Sequence, residues 1–286
     1  MKAIKKLFGG IEMTWPKVII MAIVTAVYTA LINQVPFLRD TSFQDIAISF
    51  EWWIFFAMII MMNAKKPLES ALKTFVFFLI SQPLIYLIEV PFLGWSVMGY
   101  YKNWILWTIL TFPMAYVGNY MRKKNWVSLL ILLPALVFLG AHGLGFFKLV
   151  VFSFPRRLLS TLFCFATMFI YVLAVSEQKR ERTIGLAMSS VLSIAIIVLA
   201  FVFPIRYNAI LKASDDELVF DDTCKVYIEN EKMGTVSIGK SDGIYLIQGD
   251  FKRSGSTVLV LDDSEGNKHR FDLAVGTDTY TMNEIK

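Results

Sequence analysis

Two patterns of apolar residues share this chain, and they change over near Lys212. Before that point apolar side chains run for lengths that cross a bilayer; after it they come in short runs split by turn residues. The long runs predict seven helices, over about Val18–Val35, Ile46–Asn63, Leu72–Phe92, Asn103–Met121, Val127–Gly143, Leu158–Val175 and Ile184–Pro204. The last contains no charged residue and follows Glu177-Gln178-Lys179-Arg180-Glu181-Arg182. Basic residues gather on the cytoplasmic side of membrane helices, so this flank places the start of the last helix inside and the chain after about Arg206 outside.

The other turns agree with that orientation. Lys2, Lys5, Lys6 and Lys17, then Lys65-Lys66, then Arg122 to Lys124 all fall on one side of seven crossings. Trp52, Trp53, Trp95, Tyr100, Tyr101 and Trp104 fall at the outer interface, and Trp15 and Trp126 at the inner one. A polar outer loop is expected over Arg39 to Asp45 and a tight outer turn over Gly94 to Gly99. Ile4, Leu7, Phe8 and Ile11 recur at helical spacing opposite Lys2, Lys5 and Lys6, which predicts a short helix on the inner surface or a frayed basic terminus. Pro83, Pro113, Pro134 and Pro155 are expected to kink or end helices.

After Lys212 the runs Lys225–Ile228, Thr235–Ile238, Ile244–Ile247, Thr257–Leu261 and His269–Leu273 are short and rich in β-branched and aromatic residues. Turn signals separate them at Lys232-Met233-Gly234, Ser241-Asp242-Gly243, Arg253-Ser254-Gly255 and Ser264-Glu265-Gly266-Asn267. The predicted fold is thus a membrane all-α bundle over residues 1–212, with N-terminus in and C-terminus out. A small extracytoplasmic antiparallel all-β domain follows over 213–286, as a sandwich or partly closed barrel of about five to seven strands.

Composition sharpens this picture. A chain that is 56% hydrophobic and 18% charged, with mean hydropathy +0.57, needs lipid as its solvent, so the bilayer is its first expected partner. Residues 1–213 hold 20 Lys and Arg against 8 Asp and Glu, while 214–286 hold 8 against 15, so the two parts meet different surroundings. The positive charge sits in short loops and not on one continuous face, which argues against nucleic acid. Cys164 lies in an apolar run and Cys224 in the polar tail, so no disulfide framework is expected. The N-terminus has the polarity of a signal sequence but no small-x-small cleavage site, and it reads as a retained first helix.

Ionisable groups at helix ends carry the candidate chemistry. On the seven-crossing count Glu51, Glu89, Lys102, His142, Lys148, Arg156 and Arg157 all fall near the outer face, where they could line one outward pocket. Lys148, Arg156 and Arg157 break the positive-inside rule at that loop, and paired guanidinium groups suit an anionic small molecule or lipid headgroup. The competing reading is that these side chains only snorkel to the interface and pair with the glutamates. His142, in Gly140-Ala141-His142-Gly143-Leu144-Gly145, suits a base or ligand role, against the commoner backbone hydrogen bond at a helix end. His269 reads as solvated, and Glu69 and Lys73 have the spacing of a helix ion pair.

Ala22, Ala26 and Ala30 form a smooth helix face that suits internal packing or the helix of a membrane partner. No Ser-His-Asp arrangement, HExxH, CxxC, GxxxxGK[ST] or GxGxxG after a strand is present, so no metal, nucleotide or other cofactor is expected. The alanine face and the six helices before the last resemble the substrate-binding subunits of energy-coupling-factor vitamin transporters; the seventh crossing and the β domain depart from that pattern. The functional expectation is a non-catalytic binding, sensing or accessory protein acting at the outer face. A transporter or its substrate-binding subunit comes second, and a lipid- or envelope-modifying enzyme third. Polar groups near the membrane midplane would favour transport.

Overall fold

A computed structural model describes residues 2–38, 41–214, 218–241, 243–263, 267–277 and 279–285. Helices α1 (Lys2–Leu7), α2 (Trp15–Gln34), α3 (Ser42–Ile48), α4 (Phe50–Asn63), α5 (Pro67–Leu93), α6 (Met98–Gly118), α7 (Trp126–Phe152), α8 (Leu158–Val175) and α9 (Lys179–Val202) precede seven strands. The strands are β1 (Tyr207–Ala213), β2 (Lys225–Ile228), β3 (Gly234–Ser241), β4 (Ile244–Phe251), β5 (Gly255–Asp262), β6 (Lys268–Val275) and β7 (Tyr280–Glu284). Arg39 and Asp40 of the expected polar loop, Asp242, and most of the expected turn at Ser264 to Asn267 lie outside the described residues.

Among the described residues five helices, α2, α5, α7, α8 and α9, are long and apolar enough to cross a membrane, which marks a membrane-associated chain. The α3–α4 pair, bent by 50° at its break, brings the count to as many as six. The crossing expected over Asn103–Met121 forms α6, whose Tyr100, Tyr101, Lys102 and Asn103 lower its hydropathy. The crossing expected over Ile46–Asn63 is broken at Ser49. There the backbone is extended (φ −77°, ψ 157°), and the hydroxyl bonds back to the Ile46 carbonyl at 3.0 Å, so it does not cap α4.

Packing divides the chain into two compact units, one of Met1–Gly143 with Leu158–Ile196 and one of Leu144–Arg157 with Ile197–Lys286. The core of the first joins α2, α4, α5, α7 and α8. Ala22, Ala26 and Ala30 are fully buried in it, so this face is used inside the chain. Trp53, expected at the outer interface, is also a core residue, buried against Phe77 and Phe78. The N-terminal segment forms the expected short helix, α1, and is not frayed, because Phe8 just after it is fully buried against Phe55 and Tyr171. Asn63, at the end of α4, clamps that segment: its Oδ1 accepts from Gly9 N (3.1 Å) and Ile11 N (2.7 Å), and its Nδ2 donates to Leu7 O (2.7 Å) and Ile59 O (2.8 Å).

Pro83 and Pro91 lie inside α5, Pro113 inside α6 and Pro134 inside α7, while Pro155 falls in the turn after α7. Gly94, with φ 77°, takes the left-handed backbone that turns α5 into the segment leading to α6. Gly143 does not end α7. A Cβ there would stand 3.1 Å from Cys164 Sγ and 3.4 Å from the Phe165 ring, so glycine is the residue that lets α7 and α8 approach closely.

In the second unit a three-stranded sheet ordered β1-β4-β3 and a four-stranded sheet ordered β2-β5-β6-β7 share one apolar core. Every pairing is antiparallel. All five runs expected from the sequence fall within strands, and β1 and β7 add two more. Ile247, Phe251, Leu259, Leu261 and Leu273 meet in the core, following the alternation of each strand. The Tyr280 hydroxyl donates to the Ile210 carbonyl at 2.6 Å, which ties β7 of one sheet to β1 of the other. The loop before β5 is held to the end of α7, where Ser254 N donates to Phe152 O at 2.8 Å.

Candidate functional site

The break between α3 and α4 brings together several buried ionisable groups of the helical unit. Glu51, two residues past the break, is wholly buried. Its Oε1 stands 3.3 Å from His142 Nδ1 and 3.9 Å from Cys164 Sγ, and its Oε2 has no hydrogen-bond partner in the protein. Burying a carboxylate is costly unless it is neutralised or paired, so this arrangement needs a proton, the imidazole or a bound group to balance it. Phe50 and Phe138 pack on the His142 ring, with centroids at 5.4 and 4.7 Å, and exclude water from one side of the pair.

His142 is not at a helix end. It lies about three turns before the end of α7, because the helix continues through Gly143 and Gly145 to Phe152. It faces a carboxylate and not a backbone carbonyl. Cys164 donates to the Leu139 carbonyl at 2.9 Å and is fully buried, so it has the surroundings of a structural thiol. Both cysteines are free.

Side chains from several helices hold α3 in its bent position. Thr29 Oγ1 donates to Ala47 O at 3.1 Å, and Ser160 Oγ donates to Asp45 Oδ2 at 3.0 Å. Gln44 Nε2 donates to Asn33 Oδ1 at 2.9 Å, and Asn33 Nδ2 donates in turn to Glu89 Oε1 at 2.9 Å. Glu89 is thus nearly fully buried and bonded to α2 through Asn33. The break is fixed by polar bonds from α2, α5 and α8 as well as by apolar packing.

The expected site residues fall in both units. Glu51 and His142 meet directly, while Glu89 joins the Asn33–Gln44 chain. Lys102 is exposed on α6. Lys148, Arg156 and Arg157 belong to the second unit, with Lys148 near the end of α7 and both arginines, half-buried, in the turn that follows it. Arg157 has a left-handed backbone, φ 67°, an unusual conformation for a residue with a side chain. His269 is not simply solvated: it lies 3.3 Å from Asp263 Oδ2 and 3.8 Å from Glu284 Oε1. Glu69 and Lys73 form the expected ion pair.

Sequence reasoning missed Asn33, Gln44 and Asp45 as members of a network. The available signal was three polar residues flanking a crossing whose Ser49 offered a competing backbone bond. Among the described residues no three His, Cys, Asp or Glu side chains gather as a metal-ligand set. No known protein family, curated protein or solved structure matches this chain.

Proposed function

We propose that this chain is a multi-span membrane protein that binds a small ligand inside its helical unit, at the α3–α4 break, as a transporter or a transporter's substrate-binding subunit. One observation carries the reading: a fully buried glutamate just past a broken helix, facing a histidine, with one oxygen left unbonded. Broken helices with ionisable groups at mid-depth are how transporters build sites within the bilayer. Glu51 lies near the middle of the α3–α4 pair and His142 well inside α7, positions that in this reading would give the midplane polarity that separates transport from surface binding. The free carboxylate oxygen suits a ligand bearing a positive charge or a hydrogen-bond donor. In this reading α6 is also a crossing, there are seven in all, and the β region, residues 213–286 with β1, is extracytoplasmic.

A second reading, non-catalytic binding of an anionic group or protein partner at the outer face, draws on Lys148, Arg156 and Arg157 lying within one short stretch of the second unit. A thermal-shift screen of the full chain in lipid nanodiscs distinguishes the two. Amines, amino acids and inorganic cations should give shifts that vanish in Glu51→Gln. Shifts that come only from phosphates or carboxylates, persist in Glu51→Gln and vanish in Arg156→Gln would instead establish the second reading. Protease added to intact spheroplasts should remove the chain after about Arg206; cleavage only after permeabilisation inverts the topology.

A further inference from the structure

A cavity of about 380 Å³ lies at the start of α2 and α5, in the helical unit but among other residues than Glu51 and His142. Its charged lining is balanced: Lys65 and Lys73 against Glu12 and Glu69, with Trp15 alongside. Lys73 is 4% exposed. Its ammonium donates to Glu69 Oε1 and to the Met13 carbonyl and lies 5.6 Å from the centre of the Trp15 ring, which leaves one of its three N–H groups for the cavity. At the rim Lys65 Nζ stands 3.9 Å from Glu12 Oε1, and both side chains are mostly exposed.

Apolar side chains continue outward from this polar chamber. Trp15, Ile19 and Ile20 on α2 and Leu68 and Leu72 on α5 are exposed, each next to or within two turns of a lining residue. A chamber with both signs of charge, bordered by an exposed apolar strip, matches a zwitterionic headgroup joined to hydrocarbon. The carboxylates decide which headgroup. A primary ammonium donates hydrogen bonds to Glu12 and Glu69, whereas a trimethylammonium has no N–H to donate.

We propose that this cavity binds a phospholipid with a primary ammonium headgroup, of the phosphoethanolamine class. The phosphate bonds Lys73 and Lys65, the ammonium bonds Glu12 and Glu69, and the acyl chains follow Ile19, Ile20, Leu68 and Leu72. The inference needs α2 and α5 to lie in lipid and does not depend on the Glu51 site.

The test is native mass spectrometry of the detergent-purified full chain with phosphatidylethanolamine, phosphatidylcholine and phosphatidylglycerol of identical acyl chains, and with soluble glycerophosphoethanolamine. Phosphatidylethanolamine should bind about tenfold more tightly than phosphatidylcholine, the worth of one charge-assisted hydrogen bond. Glu12→Gln, at an exposed position where folding is not at stake, should lower that ratio to about threefold, with Glu69 holding the rest. Lys65→Gln should weaken both lipids and leave the ratio standing. Equal binding of the two lipids, tightest binding of phosphatidylglycerol, a preference unchanged in Glu12→Gln, or a soluble headgroup that binds as tightly as the lipid would each overturn the proposal.

Discussion

The helical unit and the β region bury different kinds of side chain. Inside the helical unit Asp45, Glu51, Lys73, Glu89 and Glu181 are all at least nine-tenths buried. Among the described residues of the second unit the buried polar side chain is Thr257, and its neighbours in the core are apolar. Apolar cores of that kind gain free energy from every side chain they bury, whereas each buried charge costs several kcal/mol, roughly, before its partners offset it. The contrast locates the chemistry: a fold retains such groups where specificity or function requires them, and here all of them but Glu181 lie at one helix break or one cavity.

The largest expected effect tests whether the β region stands on its apolar core alone. Phe251→Ala should destabilise it by about 3–5 kcal/mol. Hydrogen exchange in nanodiscs should show lost protection in β4, β5 and β6 with α2 and α8 unchanged. Equal loss in both units would mean that they unfold as one and that the comparison has no energetic content. A smaller effect is expected in the helical unit, where Asn63→Ala removes four bonds to the backbone at 2.7–3.1 Å and should cost about 2–3 kcal/mol. Exchange should rise at Gly9 and Ile11 first. If those amides keep their protection, Phe8 and not the amide clamp holds the N-terminal segment.

The smallest expected effect concerns pH and the surface of the β region. Hydrogen bonds from the Thr223 hydroxyl and from Thr223 N hold the Asp221 carboxyl below its ordinary value. A depressed carboxyl contributes stability that is fully present above its unfolded pKa, about 3.9, and is lost as pH falls through the lower folded value. Asp221→Asn, which keeps an acceptor but not the charge, should therefore be slightly less stable than the parent at pH 7 and show a smaller fall below about pH 4. An unchanged acid slope would show that the turn does not contribute to acid unfolding.

The helix-forming stretches and five strands were legible because period and turn chemistry agree locally there. Long apolar runs such as Leu158–Val175 contain no competing signal, and runs such as Thr257–Leu261 sit between clear turns. What stayed hidden depended on tertiary bonds. Ser49 breaks a helix without proline or glycine, and partners distant in sequence, Thr29, Asn33 and Ser160 among them, stabilise the bent form. Gly143 and Gly145 read as a helix end, yet at Gly143 the glycine admits Cys164, which moves His142 inward to Glu51. β1 was hidden because Tyr207–Ala213 lies between the end of the predicted crossing at Pro204 and the first run bounded by turn signals, and no turn residue marks its start.

The pairing of Glu51 with His142 also bears on how the chain enters its membrane. In the multi-span reading Glu51 is inserted three helices before its imidazole partner, so during biogenesis the α3–α4 segment meets lipid with that carboxyl unpaired. A central aspartate costs an isolated helix about 2.5–3.5 kcal/mol on insertion scales, and a carboxylate at this depth faces a cost of that kind. In the multi-span reading this segment is the one the insertion machinery must retain until α7 arrives, and the moment of its release into lipid is set by a residue near the middle of the chain.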